Sequence, residues 1–267
     1  MVTFAVHPAV PAAAHAPAPF PTATVVIPAR YGSTRLPGKP LLDIGGRSMI
    51  EHVHRCATGV QGVQRVLVAT DDRRIAATVA GFGGEAWLTR PDHPTGSDRL
   101  AEVARRLSSD IIVNVQGDEP LMPPSLVEAV VAVLVRDPTL AIATVRSPIT
   151  DAGMLSDPHV VKVVVDTRGD ALYFSRAPIP HSREATPQRA PIGHRHIGLY
   201  AYRRKCLLEL AEIPPTPLER LERLEQLRAL ESGYRIGTIA TDEAPIGVDT
   251  PADLERVRHV VAARARE

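Results

Sequence analysis

A cationic loop follows the first apolar segment of the chain. It reads PARYGSTRLPGKP and carries Arg30, Arg35 and Lys39, whereas the first acidic residue of the chain is Asp43. Arginine can hold two phosphate oxygens at once, and lysine adds a compact positive charge. In open α/β sheets, ligands bind beyond the carboxyl ends of the strands. The loop therefore predicts a polyphosphate site, with a solvated basic loop as the alternative.

The glycines of this loop do not match either common nucleotide-binding fingerprint. Gly32 and Gly38 are separated by five residues, and Pro40 follows Lys39. A Walker A sequence needs four residues between Gly and Gly-Lys, and then Ser or Thr. The dinucleotide pattern GxGxxG is missing as well. The predicted phosphate loop is therefore of another type.

Two carboxylates are candidates for a metal site. Asp118 follows the apolar run IIVNV in VQGDEP, and Asp249 lies in GVDTP near the carboxyl end of the chain. Magnesium keeps several waters and takes one or two protein carboxylates together with substrate phosphates. The pair predicts a Mg²⁺ site if the fold brings the two residues together. The alternatives are a turn residue for Asp118 and a helix-entry hydrogen bond for Asp249.

The elements that would position these residues alternate along the first half of the chain. Strands are predicted over 24–27, 65–69, 84–88, 111–115 and 140–145, and helices over 49–57, 74–82, 97–107 and 124–135. Thr95 and Asp98 have the spacing of a helix capping box. This alternation predicts an α/β fold with a doubly wound, mostly parallel sheet.

The pattern changes after residue 150. Strands are predicted over 160–166, 171–174, 196–202 and 236–240, and helices over 218–230 and 252–263. The first two strands flank a hairpin-like turn, and Thr250 and Asp253 have the spacing of a second helix cap. These elements predict a small lobe attached to the main sheet.

Composition excludes several classes of function. The net charge is only +1 and aromatic residues make up 4% of the chain, which argues against nucleic acid as a partner. No apolar run is long enough for a membrane span, and two distant cysteines favour a reducing cytoplasm. Residues 1–22 are Ala- and Pro-rich and are expected to form a flexible extension. Residues 23–267 are expected to form a single domain.

Several segments together resemble the CMP-Kdo synthetase family, the 3-deoxy-manno-octulosonate cytidylyltransferases. They occur in family order between about residues 24 and 258 and read IPARYGSTRLPGKPLLDI, VATDD, TRPDHPTGSDRLAEV, VNVQGDEPL, ALYFSRAPIP, RHIGLYAYR, LERLEQLRAL and GVDTPADLERVR. The resemblance implies the nucleotide-diphospho-sugar transferase type of fold, with a small lobe for dimerisation and the acceptor. It also implies a homodimer, Mg²⁺ and a role in lipopolysaccharide biosynthesis.

The resemblance also assigns roles to individual residues. The residues expected to bind the nucleotide are Arg30, Arg35, Lys39, Ser97 and Arg99. The metal ligands are expected to be Asp118 and Asp249, and Arg30, Lys39 and Asp118 the catalytic groups. The residues expected to bind the acceptor are Gln116, Arg176, His196, Tyr200, Glu225 and Gln226. On that side, Arg176 and His196 are expected to donate hydrogen bonds and Glu225 to accept them.

The expected reaction transfers CMP from CTP to the anomeric hydroxyl of a Kdo-type sugar acid and releases pyrophosphate. One alternative keeps this chemistry on a small phosphonate such as phosphonoformate. A second alternative is a nucleotide-binding protein without catalytic activity. The partners are thus expected to be CTP and a small acidic acceptor, with no nucleic acid and no membrane.

Overall fold

The computed structural model describes residues 21–32, 36–183, 191–243, 245–264 and 266. The expected extension therefore lies outside the described residues, apart from Pro21 and Thr22, and so does Arg35. The described strands are β1 (Ala23–Ala29), β2 (Asp43–Ile44), β3 (Arg47–Ser48), β4 (Val63–Thr70), β5 (Glu85–Leu88), β6 (Ile111–Asn114), β7 (Ile142–Ile149), β8 (Lys162–Val165), β9 (Ala171–Ser175), β10 (Gly193–Arg203) and β11 (Ile236–Ala240).

Helices cover both faces of the main sheet. They are α1 (Met49–Thr58), α2 (Arg73–Gly81), α3 (Gly96–Ala104), α4 (Pro124–Arg136), α5 (Ala152–Ser156), α6 (Arg204–Glu212), α7 (Pro217–Glu222), α8 (Gln226–Glu231) and α9 (Pro251–Arg264), with a short 3-10 turn at Lys39–Leu41. Both predicted caps are confirmed. Thr95 accepts from the backbone N–H of Asp98 at 3.2 Å, and Thr250 accepts from that of Asp253 at 3.2 Å.

The main sheet has the strand order β11-β7-β10-β6-β1-β4-β5. Strands β6, β1, β4 and β5 are parallel, and so are β7 and β11. The predicted mostly parallel, doubly wound sheet is confirmed. Strand β10 departs from it, because it runs antiparallel between β6 and β7. The sequence indicated this strand but not its direction.

The core lies on both sides of β1 and β6, whose side chains alternate between the two faces. Val25 packs in one apolar cluster with Val53 of α1 and Val130 of α4. Its neighbour Val26 packs in the other cluster with Leu100 of α3. A strand buried on both faces reads as an uninterrupted apolar run, which is why β1 and β6 were clear in the sequence.

Strands β10 and β11 belong to the main sheet, so the expectation that all elements after residue 150 form a small lobe is wrong for these two, and only β8 and β9 lie off the main strand order. Strands β8 and β9 pair as a hairpin, and Lys162 of β8 pairs with Arg195 of β10. The helix predicted over 218–230 is wrong as a single element, because it is divided into α7 and α8. Arg223, which lies between them, has a left-handed backbone conformation with φ of 53°. Helix α6 had no counterpart in the sequence prediction.

Candidate active site

A cleft of about 750 Å³ opens at the carboxyl ends of β1 and β6 and continues along β10 to the start of α8. Eleven of the residues predicted from the sequence line it: Arg30, Lys39, Ser97, Arg99, Gln116, Asp118, His196, Tyr200, Glu225, Gln226 and Asp249. The fold thus gathers residues more than 200 positions apart into one cavity. The exceptions are Arg176, which does not line the cleft, and Arg35, which lies outside the described residues.

The cationic loop leaves β1 at the floor of the cleft. The backbone N–H of Gly38 donates to the carbonyl of Tyr31 at 3.2 Å, which ties the two ends of the loop together. Gly38 has φ of 68°, a conformation that glycine adopts without strain, and Lys39 follows it directly. The turn therefore directs Lys39 into the cleft, which Arg30 also lines.

The two candidate metal carboxylates meet at the ammonium group of Lys39. Lys39 Nζ lies 2.6 Å from Asp118 Oδ2 and 3.2 Å from Asp249 Oδ1, and it also donates to the Val248 carbonyl at 2.9 Å. A backbone hydrogen bond of 2.9 Å from Val248 to Asp118 joins the two segments. The fold thus brings Asp118 and Asp249 close together although they are far apart in the sequence.

This pair fits a magnesium ion that also takes ligands from a substrate. The described residues contain no cluster of three or more His, Cys, Asp or Glu side chains that could hold a metal by itself. Two carboxylates leave most of an octahedral shell to phosphate oxygens and water, which is how Mg²⁺ commonly binds beside nucleotides. The residues present therefore suit Mg²⁺ brought together with a triphosphate.

The turn after β6 needs a glycine. A Cβ atom on Gly117 would lie 2.8 Å from the carbonyl oxygen of Pro28, closer than real Cβ contacts. The close approach lets Gln116 and Asp118 project into the cleft on either side of it. Gln116 Nε2 donates to the Gly198 carbonyl of β10 at 3.3 Å. Gln116 thereby links the segment that carries Asp118 to β10.

Glu119, which the sequence analysis did not select, follows Asp118 and is half-buried. Burial, and then the negative charge of Asp118, raise the pKa of Glu119 to about 8. Its Oε2 atom has no hydrogen-bond partner among the described residues. Burial of an acidic side chain cannot be read from a turn sequence, so nothing in DEP pointed to this residue.

The start of α3 forms the opposite wall. Ser97 follows the capping residue Thr95 and lines the cleft. Arg99 is only 5% exposed; its guanidinium donates to Thr89 Oγ1 and lies 3.5 Å from Asp71 Oδ2. The charge of Arg99 is therefore largely engaged within the protein, and direct contact of Arg99 with the nucleotide stays a prediction.

The wall predicted to face the acceptor is built from partly and fully buried polar groups. The rings of His196 and Tyr200 have centroids 5.2 Å apart, so the predicted shared surface of these two residues is confirmed. Burial lowers the pKa of His196 to about 3 and raises the pKa of Tyr200. Burial also raises the pKa of Glu225, although a hydrogen bond with Ser97 acts in the opposite direction and lowers it. Ser97 and Glu225 thus bring the two walls into contact.

Arg176 lies behind this wall. Its Nε donates to the Glu222 carbonyl at 2.8 Å and one terminal nitrogen donates to the Pro158 carbonyl at 2.9 Å. The Glu222 carboxylate in turn accepts from the Arg176 backbone N–H at 2.9 Å. In this geometry Arg176 braces the segment that carries Glu225 and Gln226, and its predicted contact with the acceptor stays a prediction.

Arg223 is a cation that the sequence analysis missed. It lines the cleft beside Glu225 and Gln226, in the left-handed turn between α7 and α8. A charged residue in a helical pattern reads as a solvated face, and only the break in the helix turns it toward the cavity. The sequence did not show where the helix breaks, so it could not place Arg223 in the cleft.

The fold and the cleft define a nucleotidyltransferase, and comparisons with known proteins agree. The profile of the family described as Cytidylyltransferase matches residues 24–236. The chain is similar to a solved CMP:2-keto-3-deoxy-manno-octonic acid synthetase complexed with CTP, with a TM-score of 0.87 and 49% identity, covering 91% of this chain and 99% of that one. A cytidylyltransferase from Leptospira borgpetersenii, with a TM-score of 0.62 and 16% identity over 91% of this chain and 87% of that one, shows the shared fold.

Curated relatives narrow the family further. A 3-deoxy-manno-octulosonate cytidylyltransferase from Syntrophotalea carbinolica is 55% identical over 240 residues, which is 88% of this chain and 96% of the relative. One from Chromohalobacter salexigens is 54% identical over 247 residues, 89% of this chain and 96% of the relative. The chain belongs to the 3-deoxy-manno-octulosonate cytidylyltransferase family and is a nucleotidyltransferase.

Proposed function

We propose that the protein transfers CMP from CTP to the anomeric hydroxyl of Kdo and releases pyrophosphate. The observation that carries this proposal is the division of one cleft into two ends. Lys39, Asp118 and Asp249 meet at one end, and His196 with Glu225 forms the other. A triphosphate suits the first end, and an acceptor with several hydroxyls suits the second. The family supports both assignments.

The reaction is an in-line attack of the acceptor hydroxyl on the α-phosphorus of CTP. Negative charge builds on the phosphate oxygens during this step, so cations placed in advance stabilise the transition state. Lys39 and Arg30 supply fixed positive charge at the floor of the cleft. Mg²⁺, when held by Asp118 and Asp249, supplies further charge stabilisation to the phosphate oxygens.

Lys39 has a second task before the substrate arrives. Asp118 and Asp249 would repel each other if they were brought together alone, and the ammonium group at 2.6 and 3.2 Å offsets this repulsion. The carboxylates are therefore kept close in the free enzyme. If Asp118 and Asp249 held Mg²⁺, the ion would offset their repulsion in place of Lys39, and the ammonium group could then contact a phosphate.

The acceptor end matches the chemistry of a sugar acid. Glu225 offers oxygens that accept from hydroxyl groups, and Gln226 and Tyr200 can both donate and accept. Arg223 lines the same wall and supplies a cation for the acceptor carboxylate. Ser97 joins this wall to the nucleotide side through Glu225. The two substrates would therefore lie next to each other across this contact.

A small phosphonate acceptor fits this wall less well. It has no hydroxyl tail, so Glu225 would receive no hydrogen bond and would add repulsion to an anion. Pyrophosphate release with CTP, Mg²⁺ and a panel of acidic sugars and phosphonates tests the assignment. Rapid release with Kdo supports it. Release only with phosphonates would support the cytidylyltransferase reaction but contradict Kdo as the acceptor. No release with any acceptor would favour a non-catalytic protein.

The protein acts as a homodimer through the small lobe. Two leucines of this lobe are strongly exposed, Leu172 of β9 by 62% and Leu221 of α7 by 80%. Tyr173 donates to Glu222 at 3.4 Å, so the strand and the helix adjoin. Light scattering should give twice the chain mass, and Leu172→Glu combined with Leu221→Glu should give the monomer mass. A monomeric wild type would contradict the dimer.

The reaction belongs to the cytoplasm and to lipopolysaccharide biosynthesis. It consumes CTP, and Cys56 and Cys206 are both unpaired, as is usual in a reducing compartment. Among the described residues, no helix is long and apolar enough to cross a membrane. Fractionation of cells that produce the protein checks the compartment, and enrichment with periplasmic markers would contradict it.

A further inference from the structure

A buried threonine lies directly behind the acceptor wall. Thr144 of β7 has no solvent exposure, and its Oγ1 atom lies 2.8 Å from the Leu199 carbonyl and 3.3 Å from the Ile197 carbonyl of β10. The same Oγ1 lies 3.0 Å from Nε2 of His196. One hydroxyl therefore faces two carbonyl oxygens and one ring nitrogen.

The position of the hydroxyl proton follows from these three contacts. A carbonyl oxygen can only accept, and the Thr144 hydroxyl has one proton. If that proton pointed to His196, the Leu199 carbonyl would face a lone pair of Oγ1 at 2.8 Å with no hydrogen between them. Thr144 therefore donates to Leu199, and Nε2 of His196 carries the proton and donates to Thr144.

The second nitrogen of the ring then has a fixed character. A neutral imidazole has one N–H, so with the proton on Nε2 the Nδ1 atom carries a lone pair. No described group hydrogen-bonds Nδ1, and His196 lines the cleft. Phe174, with ring centroids 5.1 Å apart, and Tyr200, at 5.2 Å, pack against the ring and hold its plane. The ring therefore presents an acceptor to the cleft.

We propose that Thr144 is a positioning residue that holds His196 as the Nε2–H tautomer, so that Nδ1 accepts a hydrogen bond from a hydroxyl of the acceptor. This inference rests on the proposed function for the identity of that hydroxyl. It reverses the sequence-based expectation that His196 donates. An anionic carboxylate would meet a lone pair at Nδ1, so the acceptor carboxylate lies elsewhere on the wall.

The low basicity of the ring separates this role from general base catalysis. Burial lowers the pKa of His196 to about 3, so the ring stays neutral near pH 7 and holds a proton poorly. His196 thus orients a hydroxyl without removing its proton.

The same hydroxyl also secures the backbone next to the metal site. The pairing of β10 with β7 shifts between Ile197 and Tyr200, and within this irregular stretch the Thr144 hydroxyl donates to the Leu199 carbonyl and lies 3.3 Å from the Ile197 carbonyl. Gly198, in the middle of the stretch, offers its carbonyl to Gln116. Thr144 therefore fixes the tautomer of His196 and holds in place the backbone that carries the Gly198 carbonyl, the hydrogen-bond acceptor of Gln116.

The tautomer is tested by nitrogen NMR of the histidine rings in the full-length protein, with His196→Asn identifying the signal. We expect a protonated Nε2 and an unprotonated Nδ1 between about pH 5 and 8. A proton on Nδ1, or a ring that titrates in this range, would overturn the proposal. The measurement needs no substrate, so it stands even if Kdo is not the acceptor.

Kinetics with Thr144→Val and Thr144→Ser test the consequence. Valine keeps the shape and removes the hydroxyl, and we expect the KM for the acceptor to rise about tenfold, since one oriented hydrogen bond is lost. The KM for CTP should stay within about twofold, and serine should restore the acceptor KM. An unchanged acceptor KM, or equal increases in both KM values, would contradict the positioning role.

A pair of substitutions at His196 covers the case in which the valine variant does not fold. In His196→Asn the side-chain oxygen can occupy the place of Nδ1, whereas in His196→Gln the amide can only replace the contact of Nε2 with Thr144. We expect the asparagine variant to keep the lower acceptor KM of the two. The reverse order would overturn the assignment. If both variants and the wild type failed with Kdo but released pyrophosphate normally with another acceptor, the proposed function would be wrong in its acceptor, and the His196 assignment would be judged with that other acceptor.

Discussion

The nucleotide end of the cleft is made of charged side chains on loops and turns, whereas the acceptor end is made of half-buried or buried polar groups on a strand and at the start of a short helix. Lys39, Asp118 and Asp249 stay partly exposed, with 15%, 35% and 57% of their side chains open to solvent. His196 and Glu225 have pKa values shifted by burial. We propose that the first end gathers charge for a triphosphate and that the second selects the acceptor by the positions of its hydrogen bonds.

The largest expected effect tests the charged end. Asp118→Asn or Asp249→Asn removes one unit of negative charge from the proposed magnesium ligands and should lower kcat by roughly 100-fold or more, as for loss of other preorganised charge-stabilising groups. Asp92→Asn is the control, because Asp92 is 71% exposed on its own loop. The measurement is pyrophosphate release at limiting Mg²⁺. Turnover near that of the control variant would contradict the assignment of Asp118 and Asp249 as metal ligands.

A second substitution tests the selective end. Glu225→Ala should lower kcat/KM for Kdo. The lost transition-state stabilisation should be about 1.5 to 3 kcal/mol, because charge-assisted hydrogen bonds to hydroxyls are lost. The KM for CTP should change little. Transfer to a small phosphonate should be unchanged or improved, since a negative charge is removed. Glu225→Gln controls for the lost volume. Equal losses on both acceptors would show that Glu225 only supports the wall.

The buried histidine makes the acceptor end sensitive to acid. The pKa of His196 is about 3 in the folded protein and about 6.5 in the unfolded chain. The unfolded state therefore takes up the proton first as pH falls, so stability decreases between pH 6.5 and 3. The slope is up to about 1.4 kcal/mol per pH unit from this one residue. Denaturant unfolding of the wild type and His196→Asn should show a shallower decline in the variant; identical slopes would contradict the buried neutral ring.

The smallest expected effect concerns the missed cation. Arg223→Gln should raise the KM for a carboxylate-bearing acceptor about fivefold, in line with a partly exposed charge contact of about 1 kcal/mol. Arg220→Gln on α7 is the control, because Arg220 does not line the cleft. Equal KM values in both variants would show that the acceptor carboxylate lies elsewhere.

The two ends also differ in how far the sequence predicted them. Arg30, Lys39, Asp118 and Asp249 follow strands or precede a helix, and general rules place such residues at the ligand edge of the sheet. His196, Tyr200 and Glu225 were selected only through the family resemblance. Sequence patterns indicate which apolar residues are buried but not how far a single polar side chain is enclosed, so neither the low pKa of His196 nor the raised pKa of Glu119 could be foreseen.

The main errors in the predicted fold have a common cause. The charged pattern over 218–230 suits one long helix, but the left-handed turn at Arg223 and the buried ion pair between Glu219 and Arg228 make two short ones. Likewise, an apolar strand does not show its direction, so the antiparallel β10 was not predicted. Both features depend on contacts between distant parts of the chain, and both shape the acceptor end.

The proposed function requires that one cleft join CTP to a sugar acid. The most direct measurement is phosphorus NMR of the wild-type protein with CTP, Mg²⁺ and Kdo. We expect a phosphodiester of CMP with the anomeric oxygen of Kdo to appear together with pyrophosphate in equal amounts. We also expect Asp118→Asn to yield neither product at a comparable rate. Pyrophosphate accompanied by free CMP, with no ester to Kdo, would contradict the account.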